Sequence, residues 1–440
     1  MGDPHRGWSA SAGLSTTVVG SKQYGGLVHV QDRHRRSCAS VWQVLVSGFP
    51  VMPADGGTDR PGVSHIVISE SGGSSLGDMP EGMVVYWWND RPVGHEFVGC
   101  QESQRGIGGI DSNVLSRIRA EEERASQATC SASVVICTRD RPDQLQRCLA
   151  SVSQQTYPAR EIVVVDNAPR DERTKAVTEE AHAIYVREDR AGLGYARNAG
   201  ARRATSDIVA YTDDDVIVHQ RWLERLVAAF DRPEIGSVMG LVLPAELATD
   251  AQRHFERYLS FGRGYVRRDF DAASFAAHTD GVFPAWTVGA GASMAFRRDV
   301  LDRVGFFDER LGAGQAGCSE DSEFWYRLLA KGYSCRYEPR SVAFHFHRRT
   351  MEALSSQIFY YMRGHAAALL VQHERTGITA NLTQAFWRMP CRYVRRLLRR
   401  VGRRTTPGDR FLKEEISGYL SGLLVYYRNR RRGEVPEVCR

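Results

Sequence analysis

The chain is predicted to be an α/β protein: a Rossmann-like, mostly parallel sheet with helices on both faces, preceded by a small β-rich region and followed by a helical extension. Three observations predict this. From Ser133 onward, short apolar runs alternate with stretches of helical period, the pattern of a parallel sheet covered on both faces. Before about residue 125 the chain is rich in Gly, Ser and Asp. After about residue 350 helical spacing takes over and arginines crowd toward the end.

The elements follow in order. "VWQVLVSGFPV" and "MVVYWWNDRPVGHEFV" read as strands, the second with a turn signal between its halves. "RIRAEEERASQATC" reads as a charged helix and linker. "SVVIC" is a compact apolar strand, after which Leu145, Cys148, Leu149 and Val152 fall at i, i+3, i+4 and i+7 on one helix face. "EIVVVD", "AIYV" and "DIVAYTD" supply three further strands. The expected domains are residues 1–125, of unassigned role, 130–350 as the α/β domain and 351–440 as the Arg-rich helical extension.

Composition narrows the class. At 440 residues the chain exceeds the usual limit of one hydrophobic core, and 42% hydrophobic with 25% charged residues is ordinary for a globular protein. The net charge of +6 is a local excess near the C-terminus, so no nucleic-acid partner is expected. The nine cysteines form no CxxC pair, and Cys137 and Cys148 sit in apolar periodic stretches. A reducing, cytoplasmic compartment is therefore expected. No charged-then-apolar leader and no run of about 18 apolar residues occurs, so neither secretion by that route nor a membrane span is expected.

In parallel sheets ligands sit beyond the carboxyl ends of the strands. Those ends carry Thr138, Arg139 and Asp140, then Asp166 and Asn167, then Asp213, Asp214 and Asp215. A cap or turn explains Asp140 or Asp166 alone as well as a ligand does. It explains only one of the three adjacent aspartates. Like charges roughly 5 Å apart repel by several kcal/mol at the dielectric of a cleft, so a cation is expected there. Side chains at i and i+2 of an extended segment point the same way, which lets Asp213 and Asp215 share a divalent ion. Hard oxygen ligands suit Mg2+ or Mn2+ with open positions for a diphosphate.

"SVVICTRDRPDQLQRCLASVSQQTYPAREIVVVDNAP" and "AGLGYARNAGARRATSDIVAYTDDDV" resemble the nucleotide-binding half of a family 2 glycosyltransferase with the GT-A fold. The likeness continues through "VGAGASMAFRRDVLDRVGFFDERLG", "SEDSEFWYRLLAKGY" and "YEPRSVAFHFHRRT", so ordered blocks cover about residues 130 to 350. It fades before about residue 125 and after about 375. The resemblance implies inverting, metal-dependent sugar transfer. It assigns Thr138, Arg139 and Asp140 to the nucleotide pocket, Asp166 to the base or ribose edge, Arg197 to the nucleobase side and Asp214 to the neighbourhood of the ribose. Asp213 and Asp215 match the motif that holds metal and diphosphate. His345 matches a metal-contacting histidine better than His347 does.

The same resemblance makes Asp321 the base that takes the acceptor proton, with Glu320 positioning base or acceptor. These acids equally suit the first turn of a helix. "WTVGAGASMAF" matches a small-residue loop near donor sugar or acceptor, with Gly289 and Gly291 allowing close approach and Trp286 offering a face for stacking. The expected donor is a nucleoside diphosphate sugar, UDP- or dTDP-linked, because a pyrimidine offers an N–H to a carboxylate and carbonyl oxygens to a guanidinium. The expected acceptor is a hydroxyl, in cell-surface polysaccharide or glycolipid assembly.

Two rivals are weighed. A sugar nucleotidyltransferase would want a glycine-rich loop after the first strand, and "CTRDRP" has no glycine. A non-catalytic sugar- or lipid-surface-binding protein would be expected to lose either the aspartates or "SED". Finally, "CRYVRRLLRRVGRR", residues 391–404, sets Val394, Leu397, Leu398 and Val401 at i, i+3, i+4 and i+7 among seven arginines. That pattern suits the inner membrane face and a lipid-linked acceptor, or a scaffold helix with a solvated arginine side.

Overall fold

Where the sequence has short continuous apolar runs, the computed structural model has buried strands, and where the apolar period is near four it has helices. It describes residues 14–19, 27–32, 42–45, 62–69, 82–98, 112–122, 127–278, 282–401 and 409–430. The chain divides into one unit of Met1–Arg124 with Glu246–Ala248 and another of Ala125–Ala245 with Thr249–Arg440.

The first unit holds a six-stranded sheet in sequence order: β1 (Leu14–Val19), β2 (Leu27–Asp32), β3 (Trp42–Leu45), β4 (Val63–Ser69), β5 (Gly82–Trp88) and β6 (Arg91–Val98). Neighbours run antiparallel except β4 and β5. The expected turn between β5 and β6 is Asn89–Asp90, both left-handed at φ 47° and 60°, a conformation these two residue types tolerate in tight hairpins. Of the stretch expected as the earlier strand, β3 takes Trp42–Leu45, and the flanking residues lie outside those described. Helix α1 (Ser112–Glu122) begins earlier than the charged run suggested. Its Glu121 and Glu122 hold the buried Arg91 guanidinium at 2.5 and 3.1 Å.

In the second unit β7 (Ala132–Thr138), α2 (Pro142–Ser153), β8 (Glu161–Asn167), α3 (Arg173–Glu180), β9 (Ile184–Glu188), α4 (Leu193–Arg203) and β10 (Ile208–Asp213) alternate. Their strands lie parallel in the order β10-β7-β8-β9. The sheet then continues past β10 through β14 (Ser293–Arg297), β12 (Ile235–Pro244), β15 (Ser334–His345) and β11 (Val216–Val218), with β13 (Arg268–Phe270) on β15. This second half is mixed. β14 runs antiparallel to both β10 and β12, whereas β12 and β15 are parallel. The result is a GT-A-type sheet whose parallel half is the one with strict strand–helix alternation.

The helices after β11 are α5 (Trp222–Ala228), α6 (Asp250–Leu259), α7 (Ala272–Ala276), α8 (Arg298–Val304), α9 (Glu320–Ala330), α10 (Met351–Thr376), α11 (Ala380–Thr383), α12 (Met389–Val401) and α13 (Leu412–Asn429). Leu145, Cys148, Leu149 and Val152 of α2 enter one core with Val134, Ile136, Val164 and Trp222. On the sheet's other side α4 packs on β7 through Gly200, where a Cβ would stand 2.3 Å from Val135 Cγ1. A second core joins Ala366, Leu370, Tyr419 and Tyr426 of α10 and α13. Among the described residues no helix is long and apolar enough to cross a membrane.

Candidate functional site

The carboxyl ends of β7, β8 and β10, the loop before β14, the start of α9 and the end of β15 carry the polar groups of the site. At the end of β7, Thr138 Oγ1 donates to Asp214 Oδ2 at 2.7 Å. Three residues on, Arg141 Nη1 reaches Asp214 at 3.1 Å and Asp215 at 3.4 Å. Burial beside Asp215 pushes Asp214 up to about 6, against the pull of Arg141 and Thr138. The Asp214 side chain, only 5% exposed, is thus held by Thr138 and Arg141. It anchors the turn, and Thr138 anchors it in turn.

The expectation that Asp213 and Asp215 face one ion from an extended segment needs correcting. β10 ends at Asp213, and Asp214 and Asp215 form a turn before β11, so strand alternation does not govern the three. Asp213 meets Arg197 Nη2 at 3.3 Å. Asp215 meets Arg141 and lies 3.4 Å from His345 Nε2. Part of the repulsion assigned to a missing ion is thus offset by two arginines, of which Arg141 escaped the sequence reading. The crowding of carboxylates next to "CTRDRP" was the signal that a nearby arginine should turn back toward them.

Arg197, expected on the nucleobase side, is buried between two carboxylates. Its side chain is 3% exposed, and it grips Glu320 at 2.5 Å as well as Asp213. It also donates to the Gly291 carbonyl at 3.4 Å. One buried guanidinium therefore couples the aspartate turn, the loop before β14 and the first residue of α9. Burial works against its charge, but Glu320 and Asp213 hold its pKa above the usual arginine value. Burial pushes Glu320 up to about 7, with Arg197 opposing. Beside them Asp321 Oδ2 accepts from the Gly291 N–H at 2.9 Å, and Oδ1 from the Ser322 N–H at 2.6 Å. A Cβ on Gly291 would stand 2.8 Å from both Asp321 Oδ2 and Arg197 Nη2, so glycine is required for the loop to deliver that N–H.

The histidines at the end of β15 form a relay. Glu256 on α6 takes a hydrogen from His347 Nε2 at 3.1 Å, and His347 Nδ1 lies 2.9 Å from His345 Nδ1. Burial and the neighbouring His347 lower His345 to about 3. The other ring nitrogen of His345, Nε2, lies 3.4 Å from Asp215 Oδ1. A histidine nitrogen and a carboxylate oxygen facing each other at this distance fit a cation that both ligate once the nitrogen carries no hydrogen. A nitrogen and a carboxylate suit Mn2+ or Mg2+, which characteristically take one or two protein carboxylates and complete their shell with phosphates and water. Among the described residues no group of three His, Cys, Asp or Glu side chains is already arranged to hold a metal.

At the β8 end Asp166 is buried. Tyr185 donates to its Oδ2 at 3.0 Å, while Oδ1 has no hydrogen-bond partner. Burial raises its pKa, as does the charge of Asp140, against the pull of Tyr185. An unmet buried acceptor costs about 1–3 kcal/mol and suits a ligand N–H. Asp140, left-handed at φ 55°, is held by Arg170 through its N–H and its guanidinium, both at 3.2 Å. Arg139 is a half-exposed neighbour 4.0 Å from Asp140. Trp286 is 45% exposed, its ring edge on His365 at 5.0 Å. Gly289 has a packing reason: a Cβ there would stand 2.5 Å from Met239 Cβ.

Residues 133–305 match the model of the family described as glycosyl transferase family 2. The amylovoran biosynthesis glycosyltransferase AmsE of Erwinia amylovora is 36% identical over 209 residues, covering 46% of this chain and 70% of that protein. Glycosyltransferase AglE of Haloferax volcanii is 26% identical over 288 residues, covering 62% of this chain and 87% of that one. The glucosyl-dolichyl phosphate glucuronosyltransferase of the same organism is 28% identical over 187 residues. These cover 41% of this chain and 56% of that relative, so the chain spans little more than half of its length.

Proposed function

Since the chain belongs to the family 2 glycosyltransferases, we propose that it moves a sugar with inversion from a nucleoside diphosphate donor to an acceptor hydroxyl, with Asp321 as base. The observation that carries this reading is the coupling through Arg197 and Gly291. It fixes a partly exposed carboxylate, Asp321, next to the aspartate turn, although more than a hundred residues separate them. A helix N-terminus is a rigid mount, and backbone donors on both Asp321 oxygens set its direction.

In the proposed reaction Asp321 takes the acceptor proton as the acceptor oxygen bonds to the anomeric carbon and the bond to the diphosphate breaks. Glu320, tied to Arg197, positions the start of α9. Asp166 Oδ1, short of one donor, is assigned to a ring N–H of a pyrimidine base, with Asp140 and Arg139 at the same edge. Asp215 and His345, with Asp213 beside them, would hold Mn2+ or Mg2+, which when bound neutralises charge on the diphosphate. Trp286 is assigned to a sugar face. The donor proposed is a UDP- or dTDP-sugar. A lipid-linked acceptor is supported by the printed name of one relative, a glucosyl-dolichyl phosphate glucuronosyltransferase. Cell-surface polysaccharide or glycolipid assembly at the cytoplasmic membrane face is the proposed setting.

Asp321→Asn tests the assignment. It should leave donor nucleotide affinity within about twofold while transfer falls by about 10²–10⁴-fold, the usual contribution of a positioned base. Donor hydrolysis and transfer in a nucleotide-sugar screen with Mn2+ measure it, and turnover at the wild-type rate would overturn the role of Asp321.

A further inference from the structure

Helix α12 turns its apolar side outward. The side chains that seat it are Met389 and Tyr393, both buried, and Arg396, which pairs with Asp409 at 2.9 Å and Glu415 at 2.5 Å. Tyr393 stacks edge-on against Tyr419 of α13. With 3.6 residues per turn, Val394, Leu397 and Leu398 fall on a different arc, continued backward by Phe386 and Trp387 in the π-helical turn Gln384–Arg388. This arc is bare, with Leu398 67% and Trp387 69% exposed. On α13, Leu420, Leu424 and Tyr427 form a second exposed row at i, i+4 and i+7.

A surface helix of a globular protein normally points its apolar stripe at the core. Here the stripe faces solvent, which calls for an occupant. The charges beside it say which. Arg388, Arg392, Arg395 and Arg399 follow one another along the edge of the arc, and none pairs with a carboxylate among the described residues. A second copy of the chain would bring the same uncompensated charge to the contact. An anionic bilayer surface offers acyl chains to the arc and phosphates to the guanidiniums at once, and a Trp at the boundary is at home there.

We propose that the π turn and α12 seat this protein on an anionic lipid surface, with Trp387, Val394, Leu397 and Leu398 entering the acyl boundary and the arginine edge resting on headgroup phosphates. This goes beyond the transfer reading and uses none of its residues.

The test is sedimentation of the full chain with vesicles of phosphatidylcholine, alone or mixed with phosphatidylglycerol. Wild type should bind the anionic vesicles at least about tenfold more tightly than the neutral ones. Leu398→Asp should abolish that binding. Arg395→Gln with Arg399→Gln should weaken it by roughly twenty-five-fold, taking about fivefold per arginine. Circular dichroism melts and transfer to a soluble acceptor should match wild type for these variants, so loss of binding is separable from misfolding and from failure of the transfer reading. Absent or charge-independent vesicle binding, or full binding by Leu398→Asp, would overturn the proposal. So would a self-association in analytical ultracentrifugation that Leu398→Asp removes while vesicle binding persists.

Discussion

At the scale of single residues the site is a problem in compensating charge. Asp213, Asp214, Asp215, Glu320 and Asp321 meet two arginines, Arg141 and Arg197, and one neutral histidine. Asp214 shows the cost. Its pKa rises from 3.8 to about 6 on folding, so the folded state binds a proton more tightly than the unfolded one. The acid form is favoured below about pH 4, and stability is lost as pH rises from there through about 6. Asp214→Asn should therefore gain on wild type by about 1–3 kcal/mol between pH 4 and pH 7, read from urea midpoints with EDTA present. A pH-independent difference would show that Arg141 already cancels the burial penalty. Nothing in the order of residues could give this balance, because Arg141 and Arg197 approach the aspartates from different elements. The motif itself was plain as soon as the strand ends were aligned.

At the scale of elements, α6 and β15 together orient a nitrogen. Glu256 reaches the site only through His347 and His345, and its place in the sequence, some ninety residues before the histidines, gives no hint of the pairing. Removing the acceptor frees the His347 ring and, with it, the His345 ring that faces Asp215. Glu256→Leu should weaken Mn2+ binding in the presence of UDP by about 10–100-fold, whereas Glu256→Gln, which keeps an acceptor oxygen, should lose much less. Nitrogen NMR of the labelled histidines reports the tautomers directly, and an unchanged His345 spectrum in Glu256→Leu would refute the relay. Helix α12 teaches a related lesson about legibility. Its apolar period could be read from spacing, but which arc turns inward depends on Tyr393 and Arg396 finding Tyr419 and Glu415, partners that periodicity does not name.

At the scale of the whole molecule, the half of the sheet with alternating strands and helices was readable because every β-α-β step leaves a change of period. The half from β12 to β15 was not, since the directions of β12, β14 and β15 are set by pairings across more than fifty residues. The site lies where these halves meet at β10 and β14. A ligand binding there should steady the second unit as one body. Mn2+ with UDP at a hundred times its dissociation constant should add about 2.7 kcal/mol to its unfolding free energy, visible as a rise in melting temperature. The rise should vanish in Asp215→Ala, and an equal rise in that variant would place the ion elsewhere.

Arg197 has an evolutionary corollary. Its carboxylate partners fall on either side of any seam drawn through the chain between residues 213 and 320, Asp213 on one and Glu320 on the other. Modules exchanged between relatives at that seam would inherit half of a salt bridge and leave a buried charge bare. New acceptor specificities should therefore arise by drift in the loops around this cation, with recombination across it selected against.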